Sequence, residues 1–160
     1  MIDGPSITQA LVDCGITHVI WIPDSVMGTW ESSLLGSSQL QLVRVCREGE
    51  AFAVAAGLYL GGKQPFVMIQ CTGLFEAGDS LRNIVHDLKL PLFVLIGLRS
   101  YKAHKQGTTK DSCPVFAEPI LKAWQMPYTI LDDQATAEDL KSAYQRAQEE
   151  QRSGAVFLPE

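Results

Sequence analysis

Apolar residues recur along the chain in two periods, and segments of one period alternate with segments of the other. Ser6 can cap a helix that runs to about Cys14, with Ile7, Ala10 and Leu11 on one face and Gly15 as the stop. The segment 18–22 (HVIWI) reads as a strand closed by Pro23. Asp24 or Ser25 then caps a second helix reaching Leu35, and 40–45 is a short strand. From Glu48 to Gly61 the alanine-rich pattern predicts a strong helix. Pro65 to Gln70 is a nearly continuous apolar run, as expected of a strand buried on both faces. Asp79 to Leu88 places Leu81, Ile84, Val85 and Leu88 at helical spacing, and Pro91 to Gly97 is another buried strand. The stretch from Arg99 to Pro114 has few apolar residues and predicts a long loop, which in a compact domain is often functional. A helix over 115–124 is weakened by Pro119. Tyr128 to Leu131 (strand), Thr136 to Arg152 (helix) and Ala155 to Leu158 (strand) complete the chain.

Strands alternating with helices predict an α/β fold, a three-layer α/β/α sandwich around a mainly parallel six-stranded sheet. The 160 residues suit one domain, residues 1–160. In such sheets ligands sit beyond the carboxyl ends of the strands, at a switch point. That rule selects three segments where a strand hands over to the next element: 23–25, 46–50 and 71–74. Small and polar residues concentrate in all three.

Composition narrows the function. Hydrophobic residues make up 46% and charged residues 19%, so the chain is globular, and the low charged fraction points to more buried or interfacial surface than a free monomer needs. The net charge of −5 opposes a nucleic-acid groove, which requires a basic face. No apolar run is long enough to span a membrane, and the first residues lack the features of a secretory signal. Cys14, Cys46, Cys71 and Cys113 are widely spaced and form no metal-binding motif, so free thiols and a cytoplasmic location are expected, with no metal site on this chain.

The most informative stretch is 47–58. Glu48 opens a helix, where the positive end of the helix dipole favours a carboxylate. Ala51, Ala53, Ala55, Ala56 and Gly57 follow, and residues so small let another backbone approach closely. On these features alone an acidic first turn on an alanine-rich helix is ordinary. However, Glu48-x-x-Ala51 with Gly57 resembles the motif of pyrimidine-binding (PYR) domains in thiamine diphosphate (ThDP) enzymes of the pyruvate decarboxylase type. The segments 15–25, 65–74, 90–97 (LPLFVLIG) and 154–159 (GAVFLP) resemble the same domain, so the likeness covers almost the whole chain. The sequence 22–25 (IPDS) and the short length are most similar to the α subunit of split sulfopyruvate decarboxylases and the matching half of phosphonopyruvate decarboxylases.

The resemblance implies a set of roles. Glu48 would hydrogen-bond N1′ of the aminopyrimidine and so activate it, allowing the C2 ylide to attack a 2-oxo acid. Cys71, Thr72, Gly73 and Leu74 would touch the cofactor ring. Asp24 and Ser25 would lie near the substrate carboxylate, and Arg99, His104 and Lys105 would supply cations for an anionic substrate. The family's Gly-Asp-Gly…Asn motif for Mg²⁺ and diphosphate is absent from this sequence, and Gly78-Asp79-Ser80 does not replace it. Thiamine diphosphate and Mg²⁺ would therefore be completed by a partner β subunit carrying the diphosphate-binding (PP) domain, in an α2β2 or larger assembly.

Two departures bear on the substrate. Residues 72–76 (TGLFE) differ from the Ser-Gly-Leu-Gly-Asn of sulfopyruvate-type chains, and Val26-Met27-Gly28 replaces the more usual Leu-Leu-Lys. Met27, Trp30 and Phe75 either make the pocket more apolar or simply pack the core. A ThDP-dependent carboligase on the same scaffold, or a non-catalytic flavodoxin-like binding module, are the competing readings.

Overall fold

The computed structural model describes residues 2–160. Six strands form one sheet: β1 (His18–Trp21), β2 (Gln41–Arg44), β3 (Pro65–Gln70), β4 (Phe93–Leu98), β5 (Tyr128–Ile130) and β6 (Gly154–Pro159). Their order is β2-β1-β3-β4-β6-β5 and every pairing is parallel. The predicted three-layer α/β/α sandwich is thus present, with a fully parallel sheet.

Side-chain alternation along the strands divides the core in two. Ile20, Val67, Ile69, Val94, Ile96 and Phe157 face one side, with α3 (Glu48–Leu60), α4 (Cys71–Glu76), α5 (Gly78–Arg82) and α7 (Cys113–Ala123). Val19, Trp21, Phe66, Met68, Leu95 and Val156 face the other, with α1 (Gly4–Asp13), a 3₁₀ turn (Met27–Trp30), α2 (Glu31–Gly36) and α8 (Ala137–Glu149). Because both faces are covered, β3 and β4 are apolar at consecutive positions instead of alternate ones.

Several local expectations shift. Asp3, not Ser6, caps α1: its carboxylate accepts the Ser6 N–H at 2.7 Å. Gly15, the expected stop, adopts φ +73°, which needs no side chain. Asp24 rather than Ser25 closes the turn after β1, with Oδ1 accepting from the Val26 and Met27 N–H groups at 2.9 and 2.8 Å. The expected helix there divides into the 3₁₀ turn and α2. Residues 71–74, expected as the handover segment after β3, open the short helix α4, and the expected loop after β4 contains another, α6 (Tyr101–Lys105). Pro119 lies inside α7, which tolerates the lost N–H donor. Met27 and Trp30 are fully buried, and the Trp30 indole N–H donates to Ile2 O at 3.1 Å; both are core residues, not pocket walls. Among the described residues no helix is long and apolar enough to cross a membrane.

Candidate active site

Glu48 is the first residue of α3, immediately after Arg47 in extended conformation. Arg47 offers no side-chain cap, so the first N–H groups of α3 need acceptors from elsewhere. Glu76, at the end of α4, supplies one. It accepts the Gly49 N–H at 2.8 Å and binds the Arg47 guanidinium through Nε at 2.8 Å and Nη2 at 2.5 Å. The Gly49 N–H, followed by Arg47, holds the Glu76 carboxyl below the usual carboxylate range. Glu50 turns back to accept the Cys46 N–H at 3.1 Å. Two of the three acids at this helix end are thus engaged by backbone donors. The half-buried carboxyl of Glu48 accepts no hydrogen bond among the described residues.

The Glu48 carboxyl lies against the first turn of α4. A Cβ added to Gly73 would overlap the Glu48 side chain, coming within 2.5 Å of Oε1 and 2.6 Å of Cδ. Glycine at 73 is what allows this approach, and it joins two of the three segments expected to meet at the carboxyl edge of the sheet. The neighbours of Gly73 divide. Thr72 is exposed, its hydroxyl on Gln70 Oε1 at 3.1 Å, while Cys71 and Leu74 are fully buried in the core. Burial, the largest effect, pushes the Cys71 thiol up to about 12, so it is a neutral packing group. Phe75 is half-buried against the same core.

The remaining residues expected at the site do not gather on Glu48. Ser25 is exposed beyond β1. Asp24, expected beside the substrate, is turned inward, with Oδ1 on the turn and Oδ2 buried over Gly97. Arg99 is engaged by Asp111 at 2.8 Å and approaches Cys113 Sγ at 3.6 Å. His104 is exposed on α6. Lys105 Nζ stands 5.2 Å from the centre of the Tyr101 ring, and both residues line a cleft of about 360 Å³ beyond β5 and β6. Glu76 and Asp111 have clear local functions and lie outside the residues expected at the site. Asp111 is the more legible, since it accepts the N–H two residues on, at Cys113 (3.0 Å), a turn that aspartate characteristically makes. Glu76 acts on Arg47 and Gly49, far away in the chain, and leaves no local signal.

The site suits one end of a thiamine cofactor. A carboxyl at a helix N-terminus, half-buried and without a competing donor, can hold a proton at a ring nitrogen. A metal–diphosphate end is a poorer match: among the described residues no three His, Cys, Asp or Glu side chains cluster as metal ligands.

This fold is that of a domain in ThDP-dependent decarboxylases. Benzoylformate decarboxylase from Polynucleobacter necessarius superposes with a TM-score of 0.71 at 23% identity, over 99% of this chain and 30% of that one. The thiamine diphosphate-dependent 4-hydroxybenzoylformate decarboxylase of Rhodococcus jostii RHA1 gives 0.68 at 19% identity, over 98% and 30%. In sequence, the chain is homologous to phosphonopyruvate and sulfopyruvate decarboxylases. It is 25% identical over 144 residues to phosphonopyruvate decarboxylase of Streptomyces viridochromogenes, covering 90% of this chain but only 36% of that one. It is 28% identical over 125 residues to sulfopyruvate decarboxylase subunit alpha of Methanococcus maripaludis, covering 77% of this chain and 73% of that one. The chain therefore spans about a third of the former and about three quarters of the latter. No family model matches it.

Proposed function

We propose that this chain, as one pyrimidine-binding domain over 1–160, is the α subunit of a ThDP-dependent 2-oxoacid decarboxylase of the sulfopyruvate/phosphonopyruvate type. The observation that carries this reading is the Glu48 carboxyl, set at the N-terminus of α3 and pressed against Gly73. When bound, thiamine diphosphate supplies the electron sink that lets carbon dioxide leave a 2-oxo acid. Glu48 holds a proton at N1′ of the pyrimidine, the one contact by which this chain tunes the ring. The exposed Thr72 and the buried Gly73, against which Glu48 rests, bound the ring, while Cys71 and Leu74 hold that turn to the core. Ser25 faces the substrate carboxylate. Asp111 neutralises Arg99, and Lys105 lines the cleft beyond β5 and β6 away from Glu48, so no cation of this chain is assigned to a second anionic group of the substrate.

A partner chain with a PP domain holds Mg²⁺ and the diphosphate, in an α2β2 or larger assembly. The outer face of α3 supports this. Ala53, Gly57 and Leu60 are all exposed on that face, Leu60 by 70%, where a second chain can approach closely. A cytoplasmic location agrees with the four free cysteines.

Two measurements test this reading. Titration of ThDP with Mg²⁺ by calorimetry gives saturable binding to the two-chain complex and none to this chain alone. Glu48→Gln lowers decarboxylation at least about a hundredfold, the scale of a lost acid–base group, with melting temperature unchanged. Near wild-type turnover by that variant would remove Glu48 from the chemistry.

A further inference from the structure

A second acidic centre lies on the opposite face of the sheet from Glu48. Asp24 Oδ2 and Glu160 Oε1 are both buried, and neither finds a hydrogen-bond donor among the described residues. They converge over the same spot. A Cβ on Gly97 would overlap Asp24 Oδ2 and come within 2.7 Å of Glu160 Oε1. The missing side chain in β4 thus opens a niche that two carboxyl oxygens fill. Both groups are anchored. Asp24 Oδ1 accepts from Val26 and Met27, while Glu160 N donates to Leu98 O at 3.2 Å and Glu160 O accepts the Lys102 N–H at 3.0 Å.

Two ionised carboxylates are acceptors only, and at such proximity they repel. One proton between them satisfies both orphaned oxygens. The nearby cations are engaged elsewhere: Arg99 with Asp111 at 2.8 Å, and Lys102 with Asp133 at 2.6 Å. Asp24 is already held through Oδ1 by two backbone N–H groups, whereas Glu160 Oε1 has no donor of its own, so the shared proton is placed on Glu160.

We infer that Glu160 is a positioning residue whose carboxyl proton is shared with Asp24 Oδ2, and that this link holds the turn presenting Ser25 at the sheet edge. Burial, then the hydrogen bond and charge of Asp24, push Glu160 up to about 8, with Arg99 opposing. The link is therefore present at neutral pH. Because the folded-state pKa is raised, its stabilisation is complete at acid pH and is lost as pH rises through about 8. The consequence for substrate rests on the decarboxylase reading; the shared proton does not.

The test compares wild type with Glu160→Gln, whose amide donates to Asp24 without titrating, and with Glu160→Ala, which cannot donate. Carbon-13 NMR of the Glu160 carboxyl should show a midpoint near 8. The wild-type melting temperature should fall between about pH 5 and 8 while that of Glu160→Gln stays level. Amide exchange at Val26 and Met27, corrected for intrinsic base catalysis, should quicken in wild type above pH 8 and in Glu160→Ala at every pH. In the two-chain holoenzyme KM for the 2-oxo acid should follow the same pattern, with Glu160→Gln restoring what Glu160→Ala loses. A Glu160 midpoint in the ordinary carboxylate range, or a Glu160→Gln variant that loses stability in parallel with wild type, overturns the inference. If titration and exchange behave as expected but no 2-oxo acid is turned over, the shared proton stands and the decarboxylase reading falls.

Discussion

Replacing Gly73 with alanine would put a methyl group where the Glu48 carboxyl now lies. The ideal Cβ position is 2.2 Å from Glu48 Cγ and 2.6 Å from Cδ, whereas carbon atoms in comfortable contact are about 3.5–4.0 Å apart. The side chain from Cγ outward must therefore retreat by at least about 1 Å. The carboxyl sits at the end of a flexible side chain, so the fold can absorb the change, and alanine in a helix is favoured over glycine by about 0.5–1 kcal/mol. Chemistry is less tolerant: a misplacement of about 1 Å costs on the order of a hundredfold in rate, or about 2.7 kcal/mol of barrier. Gly73→Ala should thus lower kcat about a hundredfold in the two-chain complex while thermal melting of the chain stays level or rises. The assay is carbon dioxide release from a panel of 2-oxo acids, run beside calorimetric melting. Wild-type turnover would show that the Glu48–Gly73 contact does not set the reactive geometry. Loss of stability together with activity would show that the crowding acts on the fold instead.

Glu76→Ala removes the acceptor at the N-terminus of α3 and the partner of Arg47; turnover should fall roughly tenfold as Glu48 loses its fixed direction, with a small drop in melting temperature. Hydrogen exchange at the Gly49 amide checks the cause and should quicken. Asp111 is held well below the usual carboxylate range, first by Arg99 and then by the Cys113 N–H. Its folded-state pKa is depressed, so its stabilisation is present above about pH 4 and is lost as pH falls further. Asp111→Asn should therefore destabilise the chain at neutral pH and flatten the acid limb of a melting-temperature profile; an unchanged acid limb would refute this.

The parts of the molecule that were legible in the sequence are those with a period. β3 and β4 stood out as apolar runs because both faces of a parallel sheet are covered, and α3 stood out through its alanines and the glycines that close it. The parts missed are too short for a period. α4 has six residues, among them Thr72 and Gly73, both poor helix formers, and α6 has five. Nothing local commits either segment to a helix. α4 becomes one because Leu74 and Ala77 are drawn into the core beside α7. Asp3 caps α1 in place of Ser6 because the helix starts earlier, at Gly4, with Pro5 well suited to its first turn.

The sequence by itself determined the alternation of strands and helices, the burial of both sheet faces, the small and polar residues gathered at the carboxyl edge, and Glu48 at the mouth of a small-residue helix. Only the tertiary structure decided which acids serve the fold. It engaged Glu76 and Glu50 with backbone donors, turned Asp24 inward onto Glu160, and brought Gly73 against Glu48. The physical reason is that hydrophobic periodicity is a local property, written every two or four residues. A carboxyl's role depends on which donor or acid arrives from a distant segment, and spacing along the chain carries no record of that encounter.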